Sequence, residues 1–329
     1  MSDLKWYQRP LPDVVAETKV FLLAKSVLSR IVLPGFHGLP LWYVLSFFYQ
    51  GLQHGLLGMR AAALSYNFFL AIFPAILFFF TLVPYLPIEN LTAEVLQLMR
   101  DVLPEDIYKV SAGTIVDIVS IKRTGLLSLV LFTSLYFASS GITSIIQAFN
   151  STFHTIERRK WWQQRVVSLS LTLMGFISVI TMALFFLFSD IAVASFINKQ
   201  MVNKSVVEVL VNIIKFIFAV FMTFLGISSL YFYGPSKRKG HFKFFSPGSI
   251  VATVLFLASS YGFSVYLTYF NSYNKLYGSI GTIILLLVWI NLNAWVLLLG
   301  FELNASIRSA RHTRDASPPI DNGLGSIGN

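Results

Sequence analysis

Long stretches free of Asp, Glu, Lys and Arg alternate along this chain with short charged segments. Six of them cover 61–88, 124–156, 166–189, 216–236, 244–274 and 276–301. A helix needs about 20 largely apolar residues to cross ~30 Å of hydrocarbon. Trimming the polar ends predicts helices over 65–86, 125–147, 166–188, 212–233, 248–270 and 279–301. The third, VVSLSLTLMGFISVITMALFFLF, is apolar on every side, so lipid or other helices must surround it. A seventh charge-free stretch, 31–59, is broken by Pro34, Pro40, Gln50, Gln53 and two His. Its apolar positions Leu41, Val44, Leu45, Phe48 and Leu52 recur at helical spacing, which favours a helix lying in the interface over one crossing the membrane. The expected fold is all-α: a polytopic membrane protein with six transmembrane helices over 61–307, preceded by an amphipathic interfacial segment at 1–60.

The connections add detail. Segment 87–124 is the long one and reads as a small helical outer loop. Leu91, Val95, Leu98, Met99 and Val102 form one stripe, and Pro104 with Glu105 and Asp106 marks a second helix start. Trp161 and Trp162 follow Arg158, Arg159 and Lys160, while Tyr231 and Tyr233 precede Lys237, Arg238 and Lys239. Rings beside cations are the usual anchors at headgroup level. Residues 308–329, rich in Ser, Pro and Gly toward their end, read as a disordered tail.

Composition agrees with the pattern. Of 329 residues, 55% are hydrophobic and 12% charged, against roughly 25% charged in a soluble domain. That excludes a disordered chain and a soluble enzyme with a polar shell. There is no Cys, which excludes disulfides, thiolate metal sites and thiol catalysis. The net charge of +10 suggests nucleic acid until the cations are placed. Seventeen of the 25 Lys and Arg fall before the first helix, in the second-to-third and fourth-to-fifth connections and in the C-terminal tail, and 7 on the other side. This bias puts both termini in the cytoplasm, so the charge is an orientation signal and nucleic acid is not an expected partner.

Within the spans, charge is nearly absent. Lys215 is expected to snorkel from the edge of the fourth helix, and Glu302 to close the sixth beside Arg308. Uncharged polar residues are more telling. The second helix holds Ser139, Ser140, Gly141, Thr143 and Ser144, then Gln147 and Asn150. The fifth holds Ser259, Ser260 and Gly262, and the sixth Gly278, Ser279, Gly281, Asn291 and Asn293. Such residues let helices approach closely and bond across a seam; the alternative is a polar cavity. Pro74 should kink the first helix. The five His are scattered, no HExxH, P-loop or GxSxG occurs, and no catalytic residue, metal site or cofactor is expected.

AAALSYNFFLAIFPAIL at 61–77, SSGITSIIQAFNSTF at 139–153, FSPGSIVATVLFLASS at 245–260 and LYGSIGTIILLLVWINLNAWVLLLGFELNASI at 276–307 together resemble the YihY/virulence factor BrkB family. The matching positions include Ala63, Tyr66, Pro74, Gly141, Asn150, Pro247, Gly248, Tyr277, Gly278, Gly281, Trp289, Gly300, Glu302 and Asn304. Asn291 and Asn293 depart toward polarity, so the sixth helix should face polar groups there. The resemblance implies a bacterial inner-membrane protein with six helices. The family is linked to serum resistance and to moving lipids or other envelope components. An old family label, tRNA-processing ribonuclease BN, finds no His/Asp metal cluster here.

Two functional expectations follow. One is a transporter or flippase-like protein for an amphiphilic envelope substrate such as a phospholipid, whose headgroup meets Ser139, Ser140, Asn150, Tyr277 and Glu302, with membrane lipids as partners. The other is a scaffold for envelope proteins acting through the outer loop. A homo-oligomer is open in both.

Overall fold

A computed structural model describes residues 19–54, 56–82, 84, 93, 97, 113, 116–117, 124–151, 159–198, 204–236, 244–269 and 271–316. They form α1 (Lys19–Arg30), α2 (Leu41–His54), α3 (Leu57–Leu82), α4 (Thr124–Asn150), α5 (Trp161–Asn198), α6 (Lys204–Tyr233), α7 (Pro247–Tyr269) and α8 (Asn271–Ala316), with no strand among the described residues. The last six, α3 to α8, are long and apolar enough to cross a membrane. The outer loop expected over 87–124 lies outside the described residues, apart from 93, 97, 113, 116 and 117, which are helical.

The apolar runs set the cores of these helices but not their ends. Hydrogen bonding to residue i−4 continues through a charge as readily as through a Leu, so a hydropathy boundary is not a helix boundary. α3 begins eight residues before its expected start and takes in Arg60. α8 is the extreme case. Its 46 residues run through the expected end at 301 and the tail boundary at 308, giving a rod of about 69 Å. That is more than twice a hydrocarbon core, so α8 reaches well beyond it.

The helices pack in chain order as a ring: α3 on α4, α4 on α5, α5 on α6, α6 on α7, α7 on α8, and α8 back on α3. Because the spans alternate in direction, the starts of α3, α5 and α7 meet the ends of α4, α6 and α8 at one end of the bundle. The main core lies there. Leu57, Ala61 and Leu64 of α3 join Ile145 and Phe149 of α4, Ile227 and Tyr231 of α6, Ala252 of α7, and Leu298 and Phe301 of α8. The cations Arg60, Arg159, Lys160, Arg165, Arg308, Arg311 and Arg314 also stand toward this end, which we call the basic end.

Toward the opposite end the helices present apolar side chains in several directions. On α5, Ile177, Val179, Ile180, Leu184, Leu187 and Phe188 are exposed. On α7, four successive residues, 264–267, are exposed, which is more than a full helical turn. No α5 residue whose side chain is described joins the main core cluster.

The segment before α3 closes over the basic end. α2 has 14 residues, about 21 Å, too short to span, and it packs on the C-terminal half of α8. Phe36, Leu39, Val44 and Phe47 bury against Ile307 and Ala310. The packed face therefore centres on Val44, Phe47 and Gly51, slightly rotated from the expected stripe: Leu45 and Phe48 are half-buried flanks. The turn into α2 needs Gly35 twice over. Its φ is +88°, and a Cβ there would press on the ring of Pro247 at the start of α7.

Candidate functional site

At the basic end, α3, α8 and α2 converge on a buried charge pair. Arg60 Nη1 donates to the carbonyl of Ala148 at 2.9 Å. Its Nη2 lies 3.7 Å from Glu302 Oε2, a coulombic contact beyond hydrogen-bond range. The Glu302 side chain is fully buried and that of Arg60 is 10% exposed. Neither carboxylate oxygen accepts a hydrogen bond from the described residues. Gly51 of α2 completes the enclosure, since a Cβ there would overlap Glu302 Oε1. Two expectations are corrected here. Glu302 does not close its helix, because α8 continues for fourteen more residues to Ala316, and the cation it faces is Arg60 rather than Arg308.

Aromatic and small residues seal the same layer. Phe149 stacks on Phe301 with ring centres 4.0 Å apart and planes 9° from parallel. Tyr231 meets both rings edge-on and donates its hydroxyl to the Leu297 carbonyl at 2.7 Å. Expected as an interfacial anchor, Tyr231 is instead a core residue, 1% exposed; the exposed Trp161 and Trp162 fit the anchor pattern. Gly248 and Gly300 bring α7 against α8, and Gly248 N–H donates to Asn304 Oδ1 at 2.8 Å while Asn304 Nδ2 donates to Ser246 Oγ at 2.8 Å. Arg159 donates to the carbonyls of Tyr233, Gly234 and Pro235, capping the end of α6 with a charge-assisted donor.

Deeper in the bundle, polar residues bond pairwise across helix seams. Thr143 Oγ1 of α4 donates to Ser168 Oγ of α5 at 2.8 Å. Asn291 Nδ2 of α8 donates to Ser65 Oγ of α3 at 3.1 Å. Ser259 Oγ of α7 donates to Asn293 Oδ1 of α8 at 3.1 Å. Asn291 and Asn293 thus face polar groups, as their departure from the family pattern implied. Ser134 Oγ donates to the Pro74 carbonyl, and the α3 helix runs unbroken through Pro74. Gly141 is buried, and a Cβ there would touch the Phe68 ring of α3.

The five residues expected to meet a headgroup do not share one place. Ser139 is buried and donates to its own helix at the Tyr136 carbonyl. Ser140 does the same and accepts from Arg165 of α5. Asn150 Oδ1 accepts the backbone N–H of Ser236, tying the ends of α4 and α6. Tyr277 lies within α8, twenty-five residues or about 37 Å along the rod from Glu302, so these two cannot hold one small group; its side chain lies outside what the structure describes. Gly278, also in α8, has its surroundings outside the description, and Gly281 is buried. Arg60, Gly51 and Arg165 were missed by sequence reasoning. Position gave only a partial signal: Arg60 and Arg165 abut apolar runs directly, but so do Arg123, Lys215, Lys243 and Lys275.

Six membrane-length helices with a buried ion pair and seam hydrogen bonds define a polytopic α-helical membrane protein. Comparison with known proteins narrows the class. The chain belongs to the virulence factor BrkB family, whose model matches residues 48–321. It is 29% identical to the ribonuclease-like protein YfkH of Bacillus subtilis over 269 residues, 79% of this chain and 93% of that protein. A UPF0761 membrane protein of Vibrio parahaemolyticus is 26% identical over 264 residues, 79% of this chain and 81% of the relative. A shorter match, 41% identity over 86 residues, is to a UPF0761 membrane protein of Pseudoalteromonas translucida, 26% of this chain and 28% of that one. No solved structure matches the chain.

Proposed function

We propose that this protein takes an amphiphilic envelope lipid between its helices and passes it across the bacterial inner membrane, without hydrolysing a nucleotide. One observation carries the reading: the bundle is sealed by core packing at its basic end and presents apolar side chains on several faces of the same helices toward the other. A lipid tail can lie against such surfaces without uncovering backbone polar groups, which the helices satisfy internally. The layer of Arg60, Glu302, Phe149 and Phe301 is the closed gate of this path. The Lys and Arg bias supports a gate at the cytoplasmic side. Ser140 and Asn150 tie α4 to α5 and to the end of α6, at the registers the gate requires. The same reading gives the chain no catalytic role, so purified protein that cleaved tRNA in a metal-dependent way would overturn it.

Reconstitution in liposomes with fluorescent lipids of several headgroups tests the proposal. Transbilayer movement faster than in empty vesicles is the expected result. Movement equal to that of empty vesicles for every headgroup, with the protein shown to be folded and inserted, overturns it.

A further inference from the structure

Arg165 is held in an uncommon setting. Its guanidinium lies 4.6 Å from the centre of the Tyr136 ring on α4, and Nη1 donates to Ser140 Oγ at 3.3 Å. Ser140 is itself fixed by donating to the Tyr136 carbonyl at 2.8 Å. Two uncharged residues of the neighbouring helix therefore orient the cation. No carboxylate pairs with it among the described residues. The contrast with its neighbours is informative: Arg60 faces Glu302, and Arg159 places its donors on three carbonyls. A guanidinium offers five N–H donors, and among the described residues one is engaged, so most of the planar fork that fits a phosphate stays open to a ligand there. Beside it, Gln164 Nε2 is buried with no acceptor among the described residues.

Depth makes the setting specific. Ser140 lies ten residues, about 15 Å, inward from the end of α4 at Asn150, so Arg165 engages α4 well within the bundle. Trp161 and Trp162 stand one turn before it, 81% and 56% exposed, as rings at headgroup level do. From Tyr136 an exposed apolar track runs away from the basic end through Phe132 and Leu129 on α4, with Leu173 and Ile177 alongside on α5. A lone cation at the margin of hydrocarbon is costly unless an anion meets it.

We propose that the α4–α5 seam at Arg165 binds the phosphate of an anionic glycerophospholipid, with the acyl chains lying along the track from Tyr136 to Leu129. The oxyanion chemistry alone would also suit free phosphate; the apolar track selects the lipid. The site stands whether or not the protein moves lipid.

Native mass spectrometry of the full-length protein tests this with added phosphatidylglycerol, diacylglycerol or inorganic phosphate. The wild type should retain phosphatidylglycerol, not retain diacylglycerol, and keep its lipid in millimolar inorganic phosphate. R165Q should weaken phosphatidylglycerol retention about tenfold, the scale of one charge-assisted hydrogen bond. R165K should recover part of it, because a point charge replaces the fork. Thermal unfolding separates binding from packing: R165Q that melts lower yet retains lipid like the wild type means Arg165 only joins two helices, and the proposal fails. If R165Q does not fold, Ser140→Ala, which removes only the orienting acceptor, should weaken retention severalfold. Unchanged retention in that variant, equal binding of diacylglycerol, or displacement by inorganic phosphate would each overturn the assignment.

Discussion

At Glu302 a carboxylate lies inside the bundle with Arg60 as its ion-pair partner and Gly51 closing the space beside it. Removing one member of a buried pair leaves the other uncompensated, which costs about 3–5 kcal/mol, whereas replacing both with apolar residues is often neutral. Arg60→Met and Glu302→Leu should each lower the detergent melting temperature strongly, and the double variant should recover most of the loss. A double variant as unstable as either single would show that the pair is not the reason. At this scale the sequence spoke clearly about need and poorly about partner. Asn291 and Asn293 had to find polar groups because an amide in an apolar helix is expensive unpaired, but Ser65 stands 226 positions from Asn291 and no local rule links them. Arg60 and Arg165 read as loop cations because a span boundary drawn by charge places any charge outside it.

At the level of the helix, α8 is the spine of the molecule. It packs against α2, α3, α4 and α7, and its continuation past 301 creates the surface on which α2 sits. Close approach to α7 depends on two glycines. A Cβ at Gly300 would meet the Tyr231 hydroxyl, Ala252 Cβ and the Gly248 carbonyl together, and none of these is the free end of a flexible side chain. Gly300→Ala should therefore destabilise by about 1–3 kcal/mol, the usual range for an overpacked core, and Gly300→Val by more. Gly262, with nothing within reach of an added Cβ, supplies the control: Gly262→Ala should leave the melting temperature essentially unchanged. Equal effects at the two positions would refute the close-packing account.

For the molecule as a whole, the ring order and the shared basic end fix which helix termini lie together; the Lys and Arg bias predicts that this end is cytoplasmic. The chain contains no Cys, so single introduced cysteines report their own positions. Gly125→Cys, at the exposed start of α4, should react with a membrane-impermeant thiol reagent in intact spheroplasts. Arg311→Cys, exposed near the end of α8, should react only after the membrane is permeabilised. The reverse pattern would invert the molecule and place the Arg60–Glu302 layer at the outer face.

Class, span number and family were all decided by the sequence alone, because the cost of exposing backbone to hydrocarbon acts on each twenty-residue window separately and leaves its mark there. Motif order was visible for the same reason: it is a property along the chain. What the tertiary structure decided is everything that depends on which window meets which. It brought Arg60 to Glu302, stacked Phe149 on Phe301, moved Tyr231 from rim to core, and set Tyr277 apart from the residues it was expected to join. Lipid solvates a Leu as well as another helix does, so hydrophobicity cannot choose helix partners in a membrane. Close packing of small residues and a few directional hydrogen bonds make that choice, and their geometry exists only once the helices are side by side.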